Sequence, residues 1–244
     1  MSNEILTRSE GEILHITLNR PEDGNGVSDD MAAELTQILL SAEDSHRLVV
    51  LRGAGADFCT GRAAGRARTD VPPEALARRR ATEVIFDCYG AFRKMSVPVV
   101  ALVQGRALGF GCALAALSDL TIATEDARFQ IPEMAHRIMP TMVLSSLIDR
   151  MPRKGLTHMV YTSQVIGPER ALAFGLVGDI VPRDKAEDAL KETCEAILRT
   201  APPATLAVKE YMRTAMQMDV QGAVDFARNL HATINSSSEM KRKH

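Results

Sequence analysis

The sequence predicts an α/β core followed by a helical C-terminal region. Short apolar runs such as LVVLRG (48–53) and VPVVALVQG (97–105) end at glycines and have the length of buried strands. Such runs are concentrated before residue 132. From about residue 141 onward, apolar residues recur with the spacing of helices instead.

The first half of the chain alternates strands and helices. ILHITLNR (13–20) alternates apolar and polar residues as a strand does, and Pro21 ends it. Ser28 is the predicted N-cap of a helix over 29–42, whose apolar residues share one face. The other elements predicted before residue 132 are strands over 48–53, 97–105, 119–124 and 127–131 and a helix over 81–95. After it we predict helices over 143–151, 168–174, 184–199, 204–217 and 220–235, and one short strand at LVGDIVP.

Two segments of the core resemble each other. VVLRGAGADFCTGR (49–62) and VVALVQGRALGFG (99–111) both run from a valine-rich strand through a glycine loop towards a helix. The pattern indicates two stacked β-β-α turns, each presenting backbone N–H groups where a strand gives way to a helix.

Composition and charge exclude several classes of function. The formal net charge is -2, which does not indicate a nucleic acid or an anionic membrane as partner. The polar opening MSNEILTRSE has no apolar signal core, so we expect no targeting segment and a cytoplasmic protein. The four cysteines are scattered without a CxxC pair, as expected for reduced thiols, and predict neither a disulfide framework nor a metal site.

The common cofactor motifs are incomplete or missing. GAGADF (53–58) and GFGCAL (109–114) begin as GxG without completing GxGxxG, which argues against a nicotinamide cofactor. No GxxxxGK[ST], HExxH or GxSxG pattern occurs. Cys59 is more consistent with a buried thiol than with a nucleophile, and His136 with a structural or surface role. Six arginines between residues 62 and 80 predict a solvated face, and the alternative is that some of them bind an anionic cofactor tail. These are Arg62, Arg66, Arg68, Arg78, Arg79 and Arg80.

Glu133 is the candidate acid–base group. It lies in the otherwise apolar stretch ARFQIPEMAHRIMP, just after a predicted strand and a proline. A partly desolvated carboxylate there has a raised pKa, which suits it to proton transfer. Without further information, a surface glutamate is an equally good interpretation.

Five segments together resemble the crotonase family, the enoyl-CoA hydratase/isomerase fold, over essentially the full length of the chain. They occur in the family's order and are ITLNRPEDGNGVS, LRGAGADFCTGR, VPVVALVQGRALGFGCALAALSDLTIAT, ARFQIPEMAHRIMP and GPERALAFGLVGDIVP. The resemblance implies a spiral core of β-β-α turns over 1–185 and a helical oligomerisation region over 186–244. It also implies a homotrimer or a dimer of trimers.

The resemblance further implies an acyl-CoA thioester substrate, with coenzyme A present only as part of that substrate and no separate cofactor. Two backbone N–H groups hold the acyl carbonyl in this family, and they map onto Arg62 and Phe110. Gly109 allows the backbone to approach the substrate there, and Glu133 is the matching catalytic carboxylate. Weaker matches suggest backbone contacts from Gly26, Ala63 and Ala64 to the coenzyme A portion.

Two departures from the family pattern bear on the reaction. Family hydratases carry a further glutamate on the helix after the glycines, where this chain has Ala113. Arg62-Ala63 replaces the family's alanine-aspartate pair after the first oxyanion glycine. A single carboxylate is enough for the isomerase branch, so our first hypothesis is an enoyl-CoA isomerase that uses Glu133. The alternatives are a hydratase or a related C–C or thioester-cleaving enzyme, with water held by His136, Thr141 or the substrate, and a coenzyme A-binding paralogue with little catalysis.

Overall fold

A mixed α/β fold is present in the computed structural model, which describes residues 3–63 and 74–241. The strands in these ranges are β1 (Ile5–Glu10), β2 (Ile13–Leu18), β3 (Leu48–Gly53), β4 (Val99–Val103), β5 (Arg106–Leu108), β6 (Leu120–Thr124), β7 (Arg128–Gln130) and β8 (Asp179–Val181). The helices are α1 (Asp29–Ser41), α2 (Ala75–Arg80), α3 (Glu83–Lys94), α4 (Phe110–Leu117), α5 (Thr141–Leu147), α6 (Arg153–Thr162), α7 (Pro168–Ala173), α8 (Ala186–Leu198), α9 (Pro202–Ala215) and α10 (Val220–Ser236).

The main sheet has the strand order β1-β2-β3-β4-β6-β8, and β5 and β7 form a second, two-stranded sheet. Only β1 runs antiparallel to its neighbour within these described sheets. Alternate residues of β3 point to opposite sides: Val49 and Leu51 join the core formed with α1, α3 and α4, whereas Leu48 and Val50 pack with α8. Because both faces are covered, the parallel strands are continuous apolar runs.

Helix α1 begins and packs as its sequence predicts. The Ser28 Oγ accepts a hydrogen bond from the Met31 N–H at 3.1 Å, which satisfies one of the free donors of the first turn. Met31, Leu35 and Leu39 are fully buried on one face. The cap and the helix are therefore both confirmed.

The structure also confirms the predicted stacking of the two similar segments. Val49 on β3 pairs with Val99 on β4, and further along an isolated parallel bridge joins Cys59 to Ala107. The second segment thus lies directly on the first, one turn further along the fold.

Four of the strands and α-helices were not predicted, and one of them is the exposed helix α2, whose arginines indicated only a solvated face. Strand β1 is an edge strand with five of its six residues exposed, so it lacks an apolar signal. Strand β5 has only three residues. Helix α6 contains Gly155, which suggests a break; the glycine is needed because a Cβ there would lie 2.9 Å from the Phe174 ring.

The C-terminal helices do not form a single layer. Helix α8 covers one face of the main sheet through Ala186, Leu190 and Cys194. Helices α9 and α10 pack on each other, with the rings of Tyr211 and Phe226 stacked at 5.6 Å. A separate oligomerisation region from residue 186, and a trimer, remain predictions. Within the described ranges, no helix combines the length and the apolar character needed to cross a membrane.

Candidate active site

Two glycine turns lie side by side at the ends of the stacked segments. The Cys59 N–H donates to the Arg106 carbonyl at 3.0 Å, and the Leu108 N–H donates to the Cys59 carbonyl at 2.9 Å. Three residues beyond the bridged pair Cys59 and Ala107, the two segments reach Arg62 and Phe110. The glycines just before these residues turn the backbone with positive φ angles of 117° at Gly61 and 49° at Gly109.

The backbone N–H groups of Arg62 and Phe110 are both available to a ligand. Phe110 is the first residue of α4, so its N–H has no partner inside the helix. Across the described part of the chain, neither N–H donates to a backbone carbonyl. Helix α4 adds its partial positive charge at this end, and a negatively charged oxygen is favoured there.

Gly111 allows the two turns to approach so closely. A Cβ on Gly111 would lie 2.1 Å from the Cys59 carbonyl oxygen, far inside any allowed contact. A larger residue would therefore push α4 away from the 59–62 turn. The missing side chain at Gly111 thus allows the turns that carry the N–H groups of Arg62 and Phe110 to lie close together.

Glu133 lies against the same turn. It begins a short 3-10 helix, Glu133–His136, just after β7. Its Oε1 lies 3.0 Å from the position that a Cβ on Gly109 would occupy, and its Oε2 is buried without a hydrogen-bond partner among the described residues. Burial raises the pKa of Glu133, while a backbone hydrogen bond and the nearby His136 partly oppose the rise. The carboxyl group is therefore suited to exchanging a proton with a ligand.

The Arg62 side chain points away from this centre. Its guanidinium forms an ion pair with Asp29 at the start of α1, and its Nε donates to the Val27 carbonyl at 3.3 Å. These contacts hold the 59–62 turn against α1, in a loop that lacks the family's aspartate. The Arg62 side chain therefore supports the 59–62 turn, while its backbone N–H makes no hydrogen bond to a backbone carbonyl of the described residues.

The weaker predicted contacts are partly brought together. A Cβ on Gly26 would lie 3.1 Å from the Cα of Ala63, so these two residues are neighbours. The Ala63 N–H already donates to the Val27 carbonyl at 2.9 Å, which leaves only its carbonyl for a ligand. Ala64 lies outside the described residues. Ala113 is fully buried on α4, one turn after Phe110.

The other sequence candidates that the structure describes are either buried in the core or exposed on the surface. Cys59 is fully buried and burial raises its pKa to about 12, consistent with an inert thiol. His136 is exposed. Arg78, Arg79 and Arg80 are exposed on α2, and Arg66 and Arg68 lie outside the described residues. Within residues 3–63 and 74–241, no three His, Cys, Asp or Glu side chains are arranged to hold a metal ion.

Two contributors to the site had no clear signal in the sequence. Asp57 accepts hydrogen bonds from the Arg106 backbone at 2.9 Å and from the Arg106 guanidinium at 3.0 and 2.7 Å, which fastens the 54–61 loop to β5. Tyr89 on α3 stacks its ring on that of Phe110, with the ring centres 5.3 Å apart. Both pairs join segments far apart in sequence, so their contacts appear only in the folded chain.

Similarity to known proteins agrees with this geometry. The sequence profile described as enoyl-CoA hydratase/isomerase matches residues 8–243. The short-chain-enoyl-CoA hydratase of Clostridium acetobutylicum is 27% identical over 98% of this chain and 92% of its own. The carnitinyl-CoA dehydratase of Escherichia coli is 29% identical over 94% of this chain and 87% of its own.

Solved structures with a similar fold also include enoyl-CoA hydratases. AtuE of Pseudomonas aeruginosa superposes with a TM-score of 0.90 and 30% identity, over 97% of this chain and 93% of its own. An enoyl-CoA hydratase of Mycobacterium smegmatis gives the same TM-score and coverage at 26% identity. Because the family profile spans nearly the whole sequence, this chain belongs to the enoyl-CoA hydratase/isomerase family, the crotonases.

Proposed function

We propose that this crotonase is an enoyl-CoA isomerase that moves a double bond with Glu133 as its proton carrier. The substrate is a 3-enoyl thioester of coenzyme A, and the product is the conjugated 2-enoyl thioester. The proposal rests on one polar side chain and two backbone N–H groups, all close to the turn at Gly109.

The reaction follows from these three groups. The thioester oxygen binds between the N–H groups of Arg62 and Phe110, which makes the C2 protons more acidic. Glu133 removes one of them, and negative charge collects on the thioester oxygen. Fixed donors stabilise that charge without reorganisation, and loss of one donor typically costs about 3 kcal/mol of transition-state stabilisation. Glu133 then returns the proton at C4, so no net proton is consumed.

The observation that supports this proposal most directly is the position of Glu133. Its Oε1 is 3.0 Å from the Cβ position of Gly109, the residue immediately before the Phe110 donor. A thioester bound at the Phe110 N–H therefore has its α-carbon next to a carboxylate. Burial raises the pKa of that carboxylate in the direction of neutral pH, which favours its use as a general base.

Hydration of a 2-enoyl thioester is the second candidate. The relatives in Clostridium and Escherichia are named hydratase and dehydratase, which favours it. Ala113 favours isomerisation instead, since a methyl group neither orients nor deprotonates water. The same two N–H donors serve both reactions, so substrate tests must separate them.

The test uses 3-pentenoyl-CoA and 2-pentenoyl-CoA with the wild type, Glu133→Gln and Glu210→Gln. Glu210 is an exposed residue of α9 and serves as the matched control. We expect the wild type to convert the first thioester into a conjugated product. Glu133→Gln should lose about 100-fold or more of that rate, the usual contribution of a general acid–base group, whereas Glu210→Gln retains it. An active Glu133→Gln enzyme would contradict the mechanism, and hydration of 2-pentenoyl-CoA at a comparable rate would favour the second candidate.

A further inference from the structure

The direction of the Arg62 N–H follows from a neighbouring hydrogen bond. The Gly61 carbonyl accepts a hydrogen bond from the Val27 N–H at 3.0 Å. No peptide bond in the described ranges is cis. In a trans peptide, the carbonyl and the N–H of the next residue point in opposite directions. The Arg62 N–H therefore points away from Val27.

The turn that carries Arg62 lies between two other segments. Cys59 exchanges two backbone hydrogen bonds with the β5 strand, whereas the Thr60 N–H donates to the Gly24 carbonyl at 2.9 Å. The segment that begins at Gly24 is therefore on one side of the turn, and β5 is on the other. The Arg62 N–H points to the β5 side, where the Phe110 donor follows.

The Arg62 side chain extends to the opposite side and reaches helix α1. Its guanidinium forms an ion pair with Asp29, the first residue of that helix, and its Nε donates to the Val27 carbonyl at 3.3 Å. The ion pair is only partly shielded from water, since the side chains of Arg62 and Asp29 are 35% and 59% exposed. Helix α1 is anchored by its buried face. One residue thus carries a free backbone donor on one side and a side-chain anchor on the other.

The residue before this donor makes such an anchor useful. Gly61 has φ 117°, a conformation that is readily accessible only to glycine. The conformational freedom of glycine allows the peptide between Gly61 and Arg62 to rotate, and this rotation would turn the Arg62 N–H away from the β5 side. The hydrogen bond from Val27 opposes the rotation through the backbone, and the contact with Asp29 opposes it through the side chain.

We propose that Asp29 is a positioning residue that holds the Arg62 N–H in the orientation needed to bind the thioester oxygen. The inference rests on the proposed function, in which this N–H is one of two donors to the enolate. Asp29 contacts no reacting atom and acts through the Arg62 guanidinium. Donors stabilise developing charge best when they are already oriented. Loss of the ion pair should therefore weaken stabilisation of the enolate more than binding of the thioester.

The test measures the enolate directly with acetoacetyl-CoA, because the ultraviolet absorbance of the bound probe distinguishes its enolate from its keto form. Asp29→Asn is compared with Asp30→Asn, which removes a neighbouring exposed charge from the same first turn of α1. Both changes alter the interaction with the helix dipole in a similar way. Isomerisation of 3-pentenoyl-CoA gives kcat and KM for each variant.

We expect Asp29→Asn to lower both the equilibrium constant for enolate formation and kcat by about 3- to 5-fold, the upper range for a partly exposed ion pair. KM should change less than about twofold, and Asp30→Asn should change none of these quantities by more than that. In an Arg62→Ala background, Asp29→Asn should also have an effect of less than about twofold, because no guanidinium remains to be held. A 3- to 5-fold loss in that background would overturn the inference, since the effect would not act through Arg62.

The outcomes separate this inference from the proposed function. If Asp29→Asn forms as much bound enolate as the wild type, or more, Asp29 does not position the donor and the proposed function is unaffected. A lower melting temperature of Asp29→Asn with an unchanged enolate constant would show a purely structural role. Failure of the wild type to isomerise 3-pentenoyl-CoA would remove the proposed reaction, and the enolate measurement would then decide the inference alone. If the wild type stabilises no bound enolate, both proposals are wrong.

Discussion

Replacing Gly109 with alanine tests whether the backbone of this turn performs the chemistry. Gly109 has φ 49° and ψ -108°, a combination that side chains with a Cβ rarely adopt. Forcing alanine into it costs about 1–3 kcal/mol. The new methyl group would also lie 3.0 Å from the Glu133 Oε1, so the carboxylate must shift. One substitution therefore turns the Phe110 N–H and displaces the base.

We expect Gly109→Ala to lower kcat/KM by at least about 100-fold, since a misplaced oxyanion donor alone costs about 3 kcal/mol. The assay follows the absorbance of the conjugated thioester, and a thermal melt reports stability. Gly11→Ala is the control: Gly11 also has a positive φ, of 57°, but a Cβ there would meet nothing within 4 Å. It should lose about 1 kcal/mol of stability and keep full activity. Near-normal kcat/KM in Gly109→Ala would refute the backbone mechanism.

Three other predictions concern charge and burial. Burial raises the pKa of Glu133, so its ionised form opposes folding at pH values above the ordinary pKa of 4.5. Glu133→Gln should therefore melt at a higher temperature than the wild type at pH 7. The difference in melting temperature should disappear below pH 4.5. Hydrogen bonds from Arg106 lower the pKa of Asp57, so this pair stabilises the fold above the usual value of 3.8 and is lost as the pH falls through the lowered pKa. Urea unfolding of Asp57→Asn should show a free energy of unfolding about 1 kcal/mol below that of the wild type at pH 7. The difference is small because Arg106 is largely exposed, and it should shrink below pH 3.8. All four cysteines are buried, and burial raises the pKa of Cys194 to about 11 and that of Cys88 to about 12, so a thiol reagent at pH 8 should modify them only after denaturation.

The sequence predicts best the elements whose own residues determine them. Strands β3 and β4 are apolar on both faces, and Ser28 caps α1 through a local hydrogen bond. Strand β1 could not be found in this way, because its pairing with β2 depends on the partner and not on its own exposed side chains. Local patterns are sufficient only where the stabilising contact is local or the burial complete.

The residues of the candidate site also differ in how far the local sequence could identify them. The apolar surroundings of Glu133 suggested an acid–base group but left a surface glutamate equally possible. The family resemblance then pointed to Glu133 and to the two N–H donors as site residues, and these roles stay predictions. Tyr89 could not be assigned, because an aromatic residue within the apolar face of α3 has the pattern of an ordinary core residue. Its relation to Phe110 depends on how α3 and α4 pack, which is a property of the tertiary fold.

The bridge between Cys59 and Ala107 has a consequence for how such an enzyme can diverge. In the proposed mechanism the thioester is held by main-chain atoms, whose separation is set by strand pairing and by the count of three residues to each donor. Side chains at these donors are then free to serve other purposes, as the contact of Arg62 with Asp29 illustrates. New reactions can arise by exchanging the groups that surround a substrate whose anchoring never changes.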